Sequence, residues 1–324
     1  MEELREICET LARWLAAPPP AAPPDWSSGR WGLCRQAAHV HGVAPLLARR
    51  LCGLAAWSGH PACRWLADQH DANRRRLARM HGELRMLLAR FDEAGVAVVP
   101  LKGALLTVRF YSEPGDRPMA DFDLLLRPAD LERGGELLSS LGYEKVAHSS
   151  RHALFERPGE RTPADSSCEH PDNPRPVELH ASCRERICEQ VSDLTELMWD
   201  GARRGELLGA RAWIAAPELL WLHLLMHTMH HMRYNSARLL QLVDLTRVAA
   251  HLADWTNLGG LLDRFDPRAT YAPLSLLQRC FPDPRLAALV AAQRPRLSAG
   301  FAAWAERVTL FDTCYLNPQP WRDG

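Results

Sequence analysis

Leu101-Lys102-Gly103-Ala104, followed after a turn by Asp121-Phe122-Asp123-Leu124-Leu125-Leu126, is the stretch whose reading decides the fold. It is introduced by Val96-Ala97-Val98-Val99-Pro100-Leu101, an apolar, β-branched run of strand length. Ala104 to Tyr111 reads as a short helix, and Ser112-Glu113-Pro114-Gly115-Asp116-Arg117-Pro118 as a turn. The chain then sets Asp121 and Asp123 at the head of a second apolar run. In a strand, side chains alternate, so the two carboxylates share one face with their Cα atoms roughly 6–7 Å apart. Two acids held on one face repel each other and call for a cation between them, for which a hard divalent ion with oxygen ligands is suited.

Outward from this stretch, helices precede it and both strands and helices follow. Residues 1–17 carry Leu4, Ile7, Cys8, Leu11 and Leu15 on one stripe. The run Ala17-Pro18-Pro19-Pro20-Ala21-Ala22-Pro23-Pro24 reads as an extended connector, because proline fixes φ and donates no hydrogen bond. Trp31–Gly53 reads as one helical stretch and Pro61–Ala94 as one long helix or two. Gly95 sits where a helix ends. Asn73-Arg74-Arg75-Arg76 presents phosphate contacts as one reading and a solvated helix face as the other. After the aspartates, a helix from Pro128 to Leu141 leads to a strand at Tyr143–Val146 and a hairpin partner at His152–Glu156. Arg157–Pro176, rich in Pro, Asp, Ser and Gly, reads as a long mobile loop. Val177-Glu178-Leu179-His180 returns as a strand with Glu178 and His180 on one face. From 186 onward the pattern reads as helical, with Pro217 opening a strong helix.

Composition limits the function classes. The chain has 324 residues, 47% of them hydrophobic, and a formal net charge of zero. A non-specific nucleic-acid binder carries a basic excess, so nucleic acid is disfavoured as a partner, a tRNA end being the one left open. Nine cysteines, none in a Cys-x-x-Cys pair, point to reduced thiols rather than a disulfide framework. No basic, apolar leader is seen, and no apolar run approaches the roughly 20 residues that span a bilayer. The expectation is a cytoplasmic protein without a membrane partner, its oligomeric state open.

The string Leu101-Lys102-Gly103-Ala104-Leu105-Leu106, then Tyr111, then Arg117-Pro118-Met119-Ala120-Asp121-Phe122-Asp123, with Val177-Glu178-Leu179-His180 later, resembles the bacterial nucleotidyltransferases of DNA-polymerase-β type. More narrowly it resembles a branch left uncharacterised, over roughly residues 80–250. The resemblance implies an α+β fold in which a small mixed sheet forms the nucleotidyltransferase core at 79–185. A helical region with the proline-rich linker would occupy 1–78, and a helical domain 186–324. It implies an NTP, ATP first, as co-substrate with Mg2+ or Mn2+, and a small molecule or peptide as acceptor. Asp121, Asp123 and Glu178 become the metal ligands and catalytic acids, with Glu178 as third ligand or general base. Lys102, Gly103, Ala104 and Arg117 become the phosphate-binding set. The superfamily's usual Gly-Ser pair is Gly103-Ala104 here, so Lys102 would replace the missing hydroxyl.

Each feature also has a plainer reading. Lys102 and Arg117 either stabilise a phosphoryl transition state or neutralise Asp121 and Asp123. Gly103 either lets a phosphate approach the backbone or permits helix packing. His223, His227 and His230 share one helical face, a zinc-like spacing. The favoured expectation is structural or pocket-lining histidines, with His180, His227 and His231 as pocket candidates. Cys183 and Cys188 lie just after the Glu178 strand with His180 near in sequence as a base, but the strand acid explains this region better and they are not read as nucleophiles. The competing functional classes are a non-catalytic nucleotide-binding scaffold on the same fold and a zinc hydrolase built on the helical histidines.

Overall fold

Helical spacing at the start of the chain forms α1 (Glu2–Ala16), which buries Ile7, Cys8, Leu11 and Trp14. In the computed structural model, residues 1–148, 152–163, 170–187 and 190–315 are described. The expected single helix over 31–53 is two, α2 (Ser28–Val40) and α3 (Ala44–Leu51). Gly42, with φ of +70°, turns the chain between them. The proline-rich connector is pinned rather than loose: the Trp57 indole N–H donates to the Pro20 carbonyl at 3.1 Å. Trp14, Trp26, Trp31 and Trp57 form a cluster with ring centroids 5.0–6.4 Å apart.

A single long helix, α4 (Pro61–Glu93), leads to the sheet. Then follow β1 (Val98–Pro100), α5 (Lys102–Arg109), β2 (Phe122–Leu126), α6 (Leu131–Ser140), β3 (Glu144–His148), β4 (His152–Glu156) and β5 (Val177–His180). These strands make one mixed sheet in the order β1-β2-β5-β4-β3, with β2 and β5 parallel and the other pairs antiparallel. Every residue of β2 is buried, as its continuous apolar run requires of an inner strand. Fold class is thus α+β, with a small mixed sheet and helices before and after it.

Beyond residue 184 the chain is less uniformly helical than its pattern suggests. Two two-stranded sheets, β6–β7 (Arg184–Ile187 and Gln190–Asp193) and β8–β9 (Arg203–Leu207 and Ala210–Ile214), flank α7 (Thr195–Gly201). Leu208 and Gly209 turn β8 into β9 with φ of +56° and +79°, the double left-handed geometry of a tight hairpin. Helices complete the chain: α8 (Pro217–Arg233), α9 (Leu239–Ala249), α10 (Trp255–Asp263), α11 (Tyr271–Cys280), α12 (Pro284–Gln293), α13 (Ala299–Arg307) and α14 (Leu310–Cys314). No helix is long and apolar enough to cross a membrane among the described residues.

The chain divides into two compact units. One comprises 1–67, 185–192 and 221–324, so both terminal helical stretches share a unit; within it Arg5 of α1 bonds Asp312 of α14 at 3.0 Å. The other comprises 68–184 and 193–220 and contains the five-stranded sheet. The segment expected as a mobile loop is clasped at its base. The Asn173 side chain accepts from Thr162 N at 2.7 Å and donates to Thr162 O at 3.0 Å, and Arg175 pairs with Glu83 at 3.2 Å. Residues 164–169 of that segment, and Cys188, lie outside the described residues.

Candidate active site

The inner pair of strands sets the site. Register places Asp123 of β2 beside Glu178 of β5, and Phe122 beside Val177. Asp121 stands one residue before β2, so it shares the face of Asp123. The Leu101 backbone N–H donates to the Asp123 carbonyl at 2.9 Å, which brings the start of α5 to the same point. There Lys102 adopts φ of +42°. A non-glycine residue in this left-handed region costs about 1–2 kcal/mol. The strain is met by a bond: Lys102 Nζ donates to Asp123 Oδ1 at 2.7 Å. His180 Nε2 lies 2.8 Å from the same oxygen and 3.2 Å from Glu178 Oε2. Lys102, Asp123, His180 and Glu178 are therefore one connected group, with Asp121 beside it.

Electrostatics separates the acids. Burial and then the charge of Asp123 push the Asp121 carboxyl up to about 7. Burial also opposes ionisation of Asp123, but Lys102 and His180 outweigh it and hold this carboxyl well below its ordinary range. Burial would lower Lys102 and His180; Asp123 raises the lysine, and Asp123 with Glu178 raises the histidine. Glu178 is held down first by its bond from His180. Asp121 is the acid left short of positive charge, and this is the observation that fits a divalent cation. Asp121, Asp123 and Glu178 supply the hard oxygen ligands such an ion takes.

The phosphate set is distributed unevenly. A Cβ on Gly103 would meet Met119 Cγ and Sδ at 2.8 Å and Arg117 Nη1 at 3.0 Å, so any other residue there would have to displace those two side chains. Arg117 is buried, bonds the Pro118 carbonyl at 3.1 Å and lowers the Asp121 carboxyl through its charge. Ala104 is fully buried inside α5 and offers no exposed group to a ligand.

Three residues outside the expected set shape the site. Arg76 of α4, 2% exposed, donates to the carbonyls of Met119 at 3.4 Å, Ala120 at 3.3 Å and His170 at 3.1 Å. Asn73, also buried, donates to the Gly115 carbonyl at 2.8 Å. Neither a phosphate contact nor a solvated face describes these two; they fasten the turn that delivers Asp121. The third is His152 of β4, paired in register with His180. His152, Glu178 and His180 each bring a ligand atom within 4.8 Å of the others. His152 carries no signal in the sequence beyond heading a strand, because cross-strand register is not written there.

His227 and His231 belong to the other unit, in a cluster around Glu185. Glu185 is 2% exposed and lies 3.3 Å from His227 Nδ1 and 3.0 Å from His230 Nδ1. His227 Nε2 and His231 Nε2 are 2.9 Å apart, and His231 Nδ1 is 2.7 Å from Ser236 Oγ. Burial opposes ionisation of Glu185, and the two histidines overcome it and hold the carboxyl far below its usual range. Cys183 is 3% exposed, which suits a buried thiol and not a nucleophile.

The model of a family described as uncharacterised nucleotidyltransferase matches residues 27–280. The chain belongs to this family. The match takes in every site residue named above, and the family's description supports nucleotidyl transfer as its general activity. No curated protein matches the chain. Among solved structures, an antigenic nucleotidyltransferase-like protein from Paracoccidioides brasiliensis is similar at 14% identity and a TM-score of 0.35, over 69% of this chain and 92% of that one.

Proposed function

We propose that this chain transfers a nucleoside monophosphate from an NTP, ATP first, to a hydroxyl or amine of a small molecule or peptide. The acceptor atom attacks the α-phosphorus, its new bond to phosphorus forms as the bridging P–O bond breaks, and pyrophosphate carries away the bonding electrons. The acceptor proton leaves to solvent by way of the Glu178 carboxylate. Asp121 and Asp123, with Glu178 where it serves as ligand rather than base, would hold a divalent ion, Mg2+ or Mn2+, which would supply positive charge against the triphosphate. Lys102, bonded to Asp123 beside the glycine at the strand end, is placed to meet a phosphate oxygen. Arg76 keeps Asp121 in place, and Arg117 adds positive charge at its side.

The observation that carries this reading is Asp123 and Glu178 in register, Asp121 one step away, and a strained Lys102 closed on Asp123. Strain held at a group of coupled acids is the mark of a functional site. Zero net charge argues against a tRNA acceptor. The test is incubation with each labelled NTP, Mg2+ and pooled small-molecule and peptide acceptors, reading pyrophosphate release.

A second reading rests on one observation: Asp123 Oδ1 already carries both Lys102 and His180. A chain in which that pairing is permanent would bind nucleotide without transfer. Nucleotide binding with no pyrophosphate release for any NTP would decide for it.

A further inference from the structure

We infer that His152, Glu178 and His180 form a binding site for a borderline first-row divalent ion of the Zn2+ class. The proposed transfer reaction places a hard ion on carboxylates alone. This site shares Glu178 with it but takes its other two ligands as nitrogen, and its existence does not depend on nucleotide transfer.

The geometry follows from the sheet. β4 and β5 are antiparallel, with His152 directly opposite His180 and Leu154 opposite Glu178. Directly opposed residues project to the same face, and residues two apart on one strand do so as well. All three side chains therefore rise from one face at neighbouring positions. The imidazole centroids of His152 and His180 are 5.3 Å apart, and one ligand atom from each of the three residues lies within 4.8 Å of the other two. Bonds of about 2.0–2.2 Å to a shared zinc ion put ligand atoms somewhat closer than this limit, within reach of side-chain rotation on a fixed backbone. Backbone pairing on both strands fixes the Cα positions, which is the preorganisation a metal site needs.

The donor set selects the ion. Two imidazoles and one carboxylate leave a fourth position open, the composition of an open zinc site. Imidazole suits Zn2+, Co2+ and Ni2+, whereas Mg2+ demands oxygen and keeps its water. Here His180 Nε2 bridges Asp123 and Glu178 at 2.8 and 3.2 Å.

The experiment is equilibrium dialysis of the full chain against Zn2+ in excess Mg2+, with Co2+ as a spectroscopic substitute. One zinc per chain is expected, and bound Co2+ should show visible bands of a nitrogen-ligated ion. His152→Gln should weaken zinc binding on the order of 10²-fold or more with an unchanged circular-dichroism spectrum, since it removes a direct ligand and outer-sphere losses alone reach 10–100-fold. The double variant His227→Gln/His231→Gln should leave zinc binding unchanged. X-ray absorption of the wild-type zinc complex, which needs no variant, should show two imidazole nitrogens on the ion. Absence of stoichiometric zinc, or zinc lost in the His227/His231 variant and kept in His152→Gln, overturns the site. Pyrophosphate release with Mg2+ but no zinc binding sinks this inference and spares the transfer reaction. Zinc binding without transfer of any nucleotide supports it and sinks the transferase reading.

Discussion

Lys102 is the residue on which chemistry and folding make opposite demands. Its φ of +42° spends stability that an unstrained backbone would keep, and its ammonium is bonded to Asp123 rather than left to a ligand. Lys102→Ala should therefore lower kcat on the order of 10²-fold or more, comparable to loss of one preorganised donor. Lys102→Arg should not restore it, because a planar fork does not replace a compact ammonium. Steady-state kinetics within a factor of about three of wild type would make Lys102 a counter-ion only. Asp121 gives a sharper split. Its carboxyl is raised to about 7 by burial and by Asp123, so its folded form favours the proton. The sign follows: stability is greatest below the unfolded value near 3.8 and falls as pH rises toward 7. In chelator, Asp121→Asn should thus raise the unfolding free energy more at pH 8 than at pH 5, while together with Asp123→Asn it abolishes transfer. Denaturant melts at both pH values, beside a pyrophosphate assay, check both halves; equal stability at both pH values, or wild-type turnover by the double variant, contradicts them. The two-residue spacing of Asp121 with Asp123, and of Glu178 with His180, was readable because strand alternation needs no partner. His152 and Arg76 were not, since their roles come from a neighbouring strand and a distant turn.

Strands and helices show the same division between local and non-local signals. Apolar runs announced β1 and β2, the alternation of Val177-Glu178-Leu179-His180 announced β5, and a helical stripe announced α1. β8 and β9 stayed hidden because their turn is Leu208-Gly209, without the Asn-Gly or Asp-Gly pair that marks such hairpins. Asn73-Arg74-Arg75-Arg76 looked like surface, yet α4 turns Arg76 inward onto three carbonyls. Arg76→Lys should cost roughly 2–4 kcal/mol, since one ammonium cannot serve a fork of acceptors and leaves buried carbonyls unpaired. It should also reduce kcat, because the same turn delivers Asp121; a thermal melt and kinetics indistinguishable from wild type would contradict the clamp. His41 links elements in the other unit: its Nδ1 accepts the Leu239 N–H at the start of α9 at 3.2 Å, and so requires the neutral ring. Burial, then Arg238, lowers its value from 6.5 to about 4. A lowered value means stability present above 6.5 and lost as pH falls toward 4, up to about 3 kcal/mol. His41→Gln keeps an acceptor but cannot titrate, so its denaturant-unfolding curve should lose that part of the acid slope; an unchanged slope would assign it elsewhere.

At the scale of the whole chain, sequence order and spatial grouping diverge. The division that the family resemblance implies, 1–78, 79–185 and 186–324, runs consecutively along the chain. The compact units instead collect 1–67, 185–192 and 221–324 into one body and 68–184 with 193–220 into the other. No composition shift marks such a grouping, because it is made by contacts between segments far apart in sequence. The candidate residues divide accordingly: Lys102, Asp121, Asp123, His152, Glu178 and His180 lie in the second unit, Glu185, His227 and His231 in the first. Each group contains buried, perturbed carboxylates, so perturbation alone does not say which one meets the triphosphate. The strained Lys102 and the presence of three acids favour the second unit. Hydrogen-exchange mass spectrometry with Mg2+ and a non-hydrolysable ATP analogue decides between them. Protection should rise over β2, β5 and the first turn of α5, where a bound nucleotide would suppress local opening. Exchange around Trp14, Trp26, Trp31 and Trp57 should not change, since that cluster is already closed by its own packing. Protection confined to α8 around His227 and His231, with β2 and β5 unchanged, would move the nucleotide to the Glu185 cluster and leave Asp121, Asp123 and Glu178 without the role proposed for them.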